Sequence, residues 1–108
     1  MKRGDVCWVE FAPPDKRRPV VILTRNSAIG YLNALTVAPI TTTIRRVPSE
    51  VILGPEDGLP TVCAANLHNM QTVSRSKIGN FITSLTTNKV VEIETALLFA
   101  MGMEGFRK

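Results

Sequence analysis

The sequence predicts a mostly β domain of the α+β class, a small and strongly bent sheet or barrel with one C-terminal helix packed on it. Three observations predict it. Short runs rich in Val, Ile, Leu and Thr recur from the N-terminus to Leu85; clusters of Pro, Gly and Asp punctuate them; and after Thr86 the apolar residues change from strand to helix spacing. The 108 residues are 44% hydrophobic and 20% charged, a globular composition in a chain long enough to bury a core without metals or disulfides. Nothing repeats internally and no segment is low in complexity, so residues 1–108 are expected to form one domain.

The first run, residues 4–11, holds Val6, Trp8, Val9 and Phe11 between Gly4 and the turn chemistry of Ala12-Pro13-Pro14-Asp15, with Trp8 read as core. Pro19 opens Val20-Val21-Ile22-Leu23, too short for a helix and β-branched enough for a buried strand. Residues 35–40 are a third strand, whose end Pro39 should set at an edge or a bulge because proline cannot donate to a ladder. Residues 49–53 form a fourth, stopped by Gly54-Pro55-Glu56-Asp57-Gly58, and residues 61–65, 70–73 and 77–85 complete the strands. The terminal helix reads from Val90, Ile93, Leu97, Ala100 and Met101, with Thr86 as its N-cap and Gly102 as the left-handed residue that ends it. Its apolar stretch, residues 96–101, is nearly continuous around the helix, enough to face a partner chain as well as the core.

Thirteen Lys and Arg against nine Asp and Glu give a net charge of +4, and the distribution says more than the total. Between residues 16 and 46 lie Lys16, Arg17, Arg18, Arg25, Arg45 and Arg46 with no carboxylate, the segregation expected of a face that meets a polyanion. Cys7 and Cys63 stand far apart among apolar neighbours and read as small buried hydrophobes, not zinc ligands. No apolar run approaches the ~20 residues that span a bilayer, and Gly4 and Asp5 stand where a signal peptide needs an apolar segment. A soluble cytoplasmic protein with no membrane association is expected.

Chemistry is bounded by what is missing. His68 is the sole histidine, no G-x-S-x-G elbow supports a nucleophile triad, no glycine pattern cradles a nucleotide, and no carboxylate cluster resembles a two-metal site. Catalysis here should need no metal and no cofactor, and should rely on Arg, Thr or Ser, Asn or Gln and at most one carboxylate. That inventory suits RNA cleavage by the substrate's own 2′-hydroxyl, where the protein orients the ribose and stabilises charge developing on phosphorus. A guanidinium does this in bidentate fashion and a Thr hydroxyl adds a hydrogen bond, while acid–base help stays unexplained because arginine is a poor proton donor.

A series of short stretches then points to a family: Arg3-Gly4-Asp5-Val6 with Trp8-Val9, Arg18-Pro19-Val20-Val21-Ile22-Leu23, Val37-Ala38-Pro39-Ile40-Thr41, Pro48-Ser49-Glu50-Val51, Asn66-Leu67, Gln71-Thr72-Val73 and Ile78-Gly79. Each alone is weak. In this order, at compatible spacing over nearly the whole chain, they make the sequence resemble the MazF/PemK family of toxin–antitoxin endoribonucleases.

The resemblance implies a CcdB/PemK-like fold, an SH3-like bent sheet with its terminal helix, assembled as a symmetric homodimer. It implies the toxin of a type II toxin–antitoxin system, cutting single-stranded RNA, often mRNA, at short sequences without metal and leaving 2′,3′-cyclic phosphate and 5′-hydroxyl ends. A labile MazE-like antitoxin would block the RNA groove. The family's catalytic arginine precedes the proline of the second strand, here Arg18, and its catalytic Thr or Ser ends the third, here Thr41. For RNA binding the candidates are Phe11 as a stacking platform, Arg25 and Asn26 after the second strand, Arg45 after the threonine run, and Asn69 and Gln71 near the bases. His68 reads more readily as structural than as a phosphate or stacking contact. The loop 12–17 is shorter than in many relatives, so the family's loop carboxylate has no certain equivalent; Asp15 is nearest and Glu10 second. The competing reading is a non-enzymatic CcdB-like toxin that binds and poisons DNA gyrase through the end of its last helix, although residues 101–108 show no recognisable ending of that kind.

Overall fold

The computed structural model describes residues 1–14 and 17–103. Seven strands and two helices follow in the order β1 (Asp5–Glu10), β2 (Arg17–Ile22), α1 (Asn26–Ile29), β3 (Ala34–Thr41), β4 (Glu50–Leu53), β5 (Cys63–Asn66), β6 (Gln71–Ser74), β7 (Ile78–Ser84) and α2 (Thr87–Met101). The strands make one antiparallel sheet in the order β4-β5-β3-β2-β1-β7, with β6 also on β3. The expected class, mostly β with a C-terminal helix, is the observed one.

β3 organises the sheet. Along one edge it pairs with β2, Val20 opposite Pro39 and Ile22 opposite Val37. Along the other it pairs first with β6, from Ala34 to Val37, and then with β5, at Ile40 and Thr41. Pro39 corrects the expectation of an edge or a bulge: it sits inside the central strand, in the interval where the outer edge passes from one partner to the other. The lost donor is tolerated there because that edge has no ladder partner to disappoint. The short turn Leu67–Asn69 spans the same interval, linking the end of β5 to the start of β6.

Both faces of the sheet are buried, each by alternate residues. Val6, Val21, Ala38 and Ile40 point to the face covered by α2, where they meet Val51, Leu53, Leu67, Ile93 and Ala96. Their neighbours Cys7, Val9, Val20, Ile22 and Val37 point the other way, into a smaller core closed by Ile29 of α1 and edged by Phe11. Cys7 and Cys63 are buried free thiols, and burial pushes both above the ordinary thiol range. Trp8 is only partly buried: the Arg17 guanidinium lies 4.5 Å above its ring and screens it from water.

α2 begins and ends as its sequence predicts. The Thr86 hydroxyl accepts the Lys89 N–H at 3.3 Å, and Gly102 takes a left-handed conformation at φ +70°. The helix is tied to the sheet by the Arg3–Glu94 ion pair at 3.0 Å and by close approach at Gly4. There φ is +95°, and a Cβ would stand 2.6 Å from a Val90 methyl, so only glycine fits between β1 and α2. Val91, Phe99 and Met101 remain exposed along α2. Among the described residues no helix is long and apolar enough to cross a membrane.

Candidate active site

The register places Arg18 and Thr41 before any side-chain detail is considered. Val20 opposes Pro39, the last printed pair of the β2–β3 ladder, and the same register continued by two residues projects Arg18 toward Thr41, on the face of Val20 and Pro39. Both side chains line an open groove of about 920 Å³ whose other polar walls are Thr43, Arg45, Asn66, His68, Asn69 and Gln71, with Phe11, Pro39 and Met70 as its apolar surfaces. Among the described residues no carboxylate lines it. Apart from Pro39, inside β3, the contributors sit at strand ends or in adjoining turns and loops, around the gap where β5 and β6 part along β3. A rigid sheet thereby fixes residues carried by short loops.

Thr41 Oγ1 accepts the Thr43 N–H at 3.1 Å, which orients the hydroxyl and leaves its proton to be donated outward. Beyond it the chain is held by Glu50. One carboxylate oxygen accepts the N–H groups of Arg45 at 3.0 Å and Arg46 at 2.9 Å, and keeps Arg46 in the left-handed region at φ +57°. This carboxylate shapes the loop that presents Arg45 to the groove. A second cavity of about 340 Å³, lined in part by Pro19, Thr42, Pro60 and Thr61, shares Arg18 and Thr41 with the first. The pair therefore stands at the junction of two depressions that together can receive an extended chain.

Six sequence candidates, Phe11, Arg18, Thr41, Arg45, Asn69 and Gln71, are brought together in the groove. Arg25 and Asn26 are not. They follow the far end of β2, where Thr24 bonds Thr36 and the Asn26 amide oxygen accepts the Arg3 N–H at 2.7 Å, at the opposite end of β3 from Thr41. Glu10 is exposed and does not line the groove, and Asp15 lies outside the described residues.

Sequence reasoning gave no site role to Asn66 and read His68 as structural. Asn66 is 7% exposed, ends β5 beside the groove, and its amide oxygen has no partner among the described residues. Its sequence signal is the Asn66-Leu67 stretch among those that carry the family resemblance, at the end of the Ala64-Ala65 run. Among the described residues no three His, Cys, Asp or Glu gather closely enough to hold a metal ion.

Chemically, two guanidiniums, two threonine hydroxyls and a row of side-chain amides can grip a phosphate and read exposed base edges. Fold and groove thus define a small bent-sheet protein with a cationic groove fit for a phosphodiester. The model of the PemK-like, MazF-like toxin of type II toxin–antitoxin systems matches residues 2–101, and the chain belongs to that family. It is 43% identical over 100 residues to the probable endoribonuclease MazF5 of Mycobacterium tuberculosis (strain ATCC 25618 / H37Rv), covering 92% of this chain and 91% of the relative. The solved Mycobacterium tuberculosis toxin MazF-mt6 superposes with a TM-score of 0.85 at 31% identity, covering 93% of this chain and 98% of that one. An endoribonuclease solved in complex with its cognate antitoxin, from a mycobacterial species, gives 0.83 at 26% identity, covering 95% and 96%.

Proposed function

We propose that this chain is the toxin of a type II pair, a metal-independent, sequence-specific endoribonuclease that cuts single-stranded RNA to 2′,3′-cyclic phosphate and 5′-hydroxyl ends. The observation that carries the reading is that Arg18 and Thr41 line one groove, which among the described residues has cationic and no acidic side chains in its lining. The scissile phosphate sits on that pair. Arg18 stabilises the negative charge that grows as the 2′-oxygen attacks phosphorus, and Thr41 donates to a non-bridging oxygen. Arg45 holds a neighbouring phosphate, Phe11 stacks against a base, and Asn69 and Gln71 read base edges with their amides. RNA that crosses the Arg18–Thr41 junction occupies both depressions, so that bases on either side of the cut are recognised.

An antitoxin that fills the groove inhibits the enzyme; a structural relative is described as an endoribonuclease in complex with its cognate antitoxin. The exposed Val91, Phe99 and Met101 of α2 favour assembly as a homodimer. The enzyme works in the cytoplasm, on mRNA, as one domain.

Replacement tests the assignment. Arg18→Ala and Thr41→Val should each lower kcat on single-stranded RNA, Arg18→Ala by about 100-fold or more, the cost of removing one donor from a preorganised charge-stabilising site. Circular dichroism and melting temperature should stay unchanged, because both side chains lie outside the two cores. Full activity in Arg18→Ala contradicts the assignment.

A further inference from the structure

The proposed reaction leaves one job unfilled. The 2′-hydroxyl must lose a proton as it attacks, and neither a guanidinium nor a threonine hydroxyl takes one near neutral pH. The groove is rich in donors: the guanidiniums of Arg18 and Arg45 and the amides of its wall. Its hydroxyl and amide oxygens accept hydrogen bonds but do not hold a proton. Among the described residues that line it, only His68 offers a basic nitrogen lone pair.

His68 is also held in place. It sits in the Leu67–Asn69 turn with its ring exposed, and its Nδ1 lies 2.5 Å from the hydroxyl of Ser49, which is buried. The Ser49 carbonyl accepts the Leu67 N–H at 2.9 Å, so residue 49 grips the turn through both main chain and side chain. When Nδ1–H donates to Ser49 Oγ, the lone pair belongs to Nε2, in the neutral ring as in the base of a hydrolytic triad. The same bond persists when Nε2 becomes protonated.

We infer that His68 is the general base of the RNA cleavage proposed above, with Ser49 as the residue that positions its ring. The inference rests on that reading of the groove. His68 Nε2 takes the proton of the 2′-hydroxyl while the 2′-oxygen bonds to phosphorus. The bond from phosphorus to the 5′-oxygen breaks, the departing oxygen takes a proton from water in the open groove, and the imidazolium returns its proton to solvent. The products are a cyclic phosphate and a 5′-hydroxyl, and nothing else is consumed.

Among the described residues, the charged groups that share the groove with the ring are Arg18 and Arg45, and Glu50 on β4 has one oxygen bonded to the 45–46 main chain. β3 contributes Thr41 and no charge. α2 packs against the turn, but its Lys89 bonds the Ile52 carbonyl and pairs with Glu92, and its Glu94 pairs with Arg3.

The test compares wild type, His68→Gln, His68→Gly, Ser49→Ala and Arg18→Ala on one cleavable RNA across pH 5–8. His68→Gln should lose about 100-fold in kcat with little change in KM, and should lose the limb of the profile that rises as an imidazole deprotonates. Added free imidazole should restore cleavage in His68→Gly. Ser49→Ala should lower kcat less and keep the limb. Wild-type kcat with the limb intact in His68→Gln overturns the inference, as does a wild-type profile flat over that range. If Arg18→Ala is dead while His68→Gln is fully active, the cleavage reading stands and the role of His68 falls. If wild type cuts no RNA, the cleavage reading itself falls and takes the inference with it.

Discussion

Asp5 is a buried carboxylate that no catalytic reading uses, and its surroundings explain it. Burial pushes its carboxyl up, but the Ser84 hydroxyl at 2.7 Å and the side chain and main chain of Lys2 at 2.9 and 3.0 Å outweigh that, so its pKa lies below the ordinary 3.8. The group thus ties the start of β1 to the end of β7 in its charged form. A lowered folded value stabilises the fold above the unfolded pKa and loses that contribution as pH falls through the folded one. Asp5→Asn should cost about 1–3 kcal/mol at pH 7, the worth of hydrogen bonds to a charged group. Urea denaturation should show the two proteins converging as pH drops below 3.8. A gap that stays constant into acid contradicts this role.

At the scale of elements, Gly4 is a tight joint between β1 and α2. Gly4→Ala must resolve both a left-handed backbone and a 2.6 Å clash with Val90, and should destabilise by about 2 kcal/mol or more, read as a lower denaturation midpoint at unchanged slope. Much at this scale was legible in the sequence. Each strand shows as an apolar run with turn residues beside it, and α2 shows its period, its Thr86 cap and its Gly102 stop. The four residues of α1 did not show, because Arg25 supplies no side-chain cap and four residues carry no helical period.

Pro39 was misread for a different reason. A strand's partner changes from β6 to β5 in three dimensions, and nothing local in Ala38-Pro39-Ile40 records it. The site was legible to the extent that it follows strands: antiparallel pairing puts the start of β2 beside the end of β3, and so Arg18 beside Thr41. Arg25 and Asn26 were drawn in by their nearness to a strand, but they follow its other end. Asn66, quoted only within a family stretch, and His68, read as structural, reach the groove lining by way of the gap between β5 and β6, which no local residue pattern records.

The whole molecule sorts its charge. Arg18 and Arg45 reach the groove, whereas Arg17 lies over Trp8. Glu50, next to Arg45 in the fold, is turned to the main chain and away from the groove lining. Among the described residues, the charged groups that line the groove are therefore cations. On this account log affinity for a non-cleavable RNA should fall with log salt at a slope of about −0.7 per phosphate contact, steeper than about −1 in total if Arg18 and Arg45 both engage. Titration by fluorescence anisotropy reads the slope, and a flat response contradicts an electrostatic track.

The most direct test of the central claim is to incubate the purified protein with a mixed-sequence single-stranded RNA in excess EDTA and to define the ends of the products. Cuts are expected at a short recurring sequence, each leaving a 2′,3′-cyclic phosphate and a 5′-hydroxyl. Intact RNA across varied sequences, or cleavage that returns only when a divalent metal is restored, contradicts the claim.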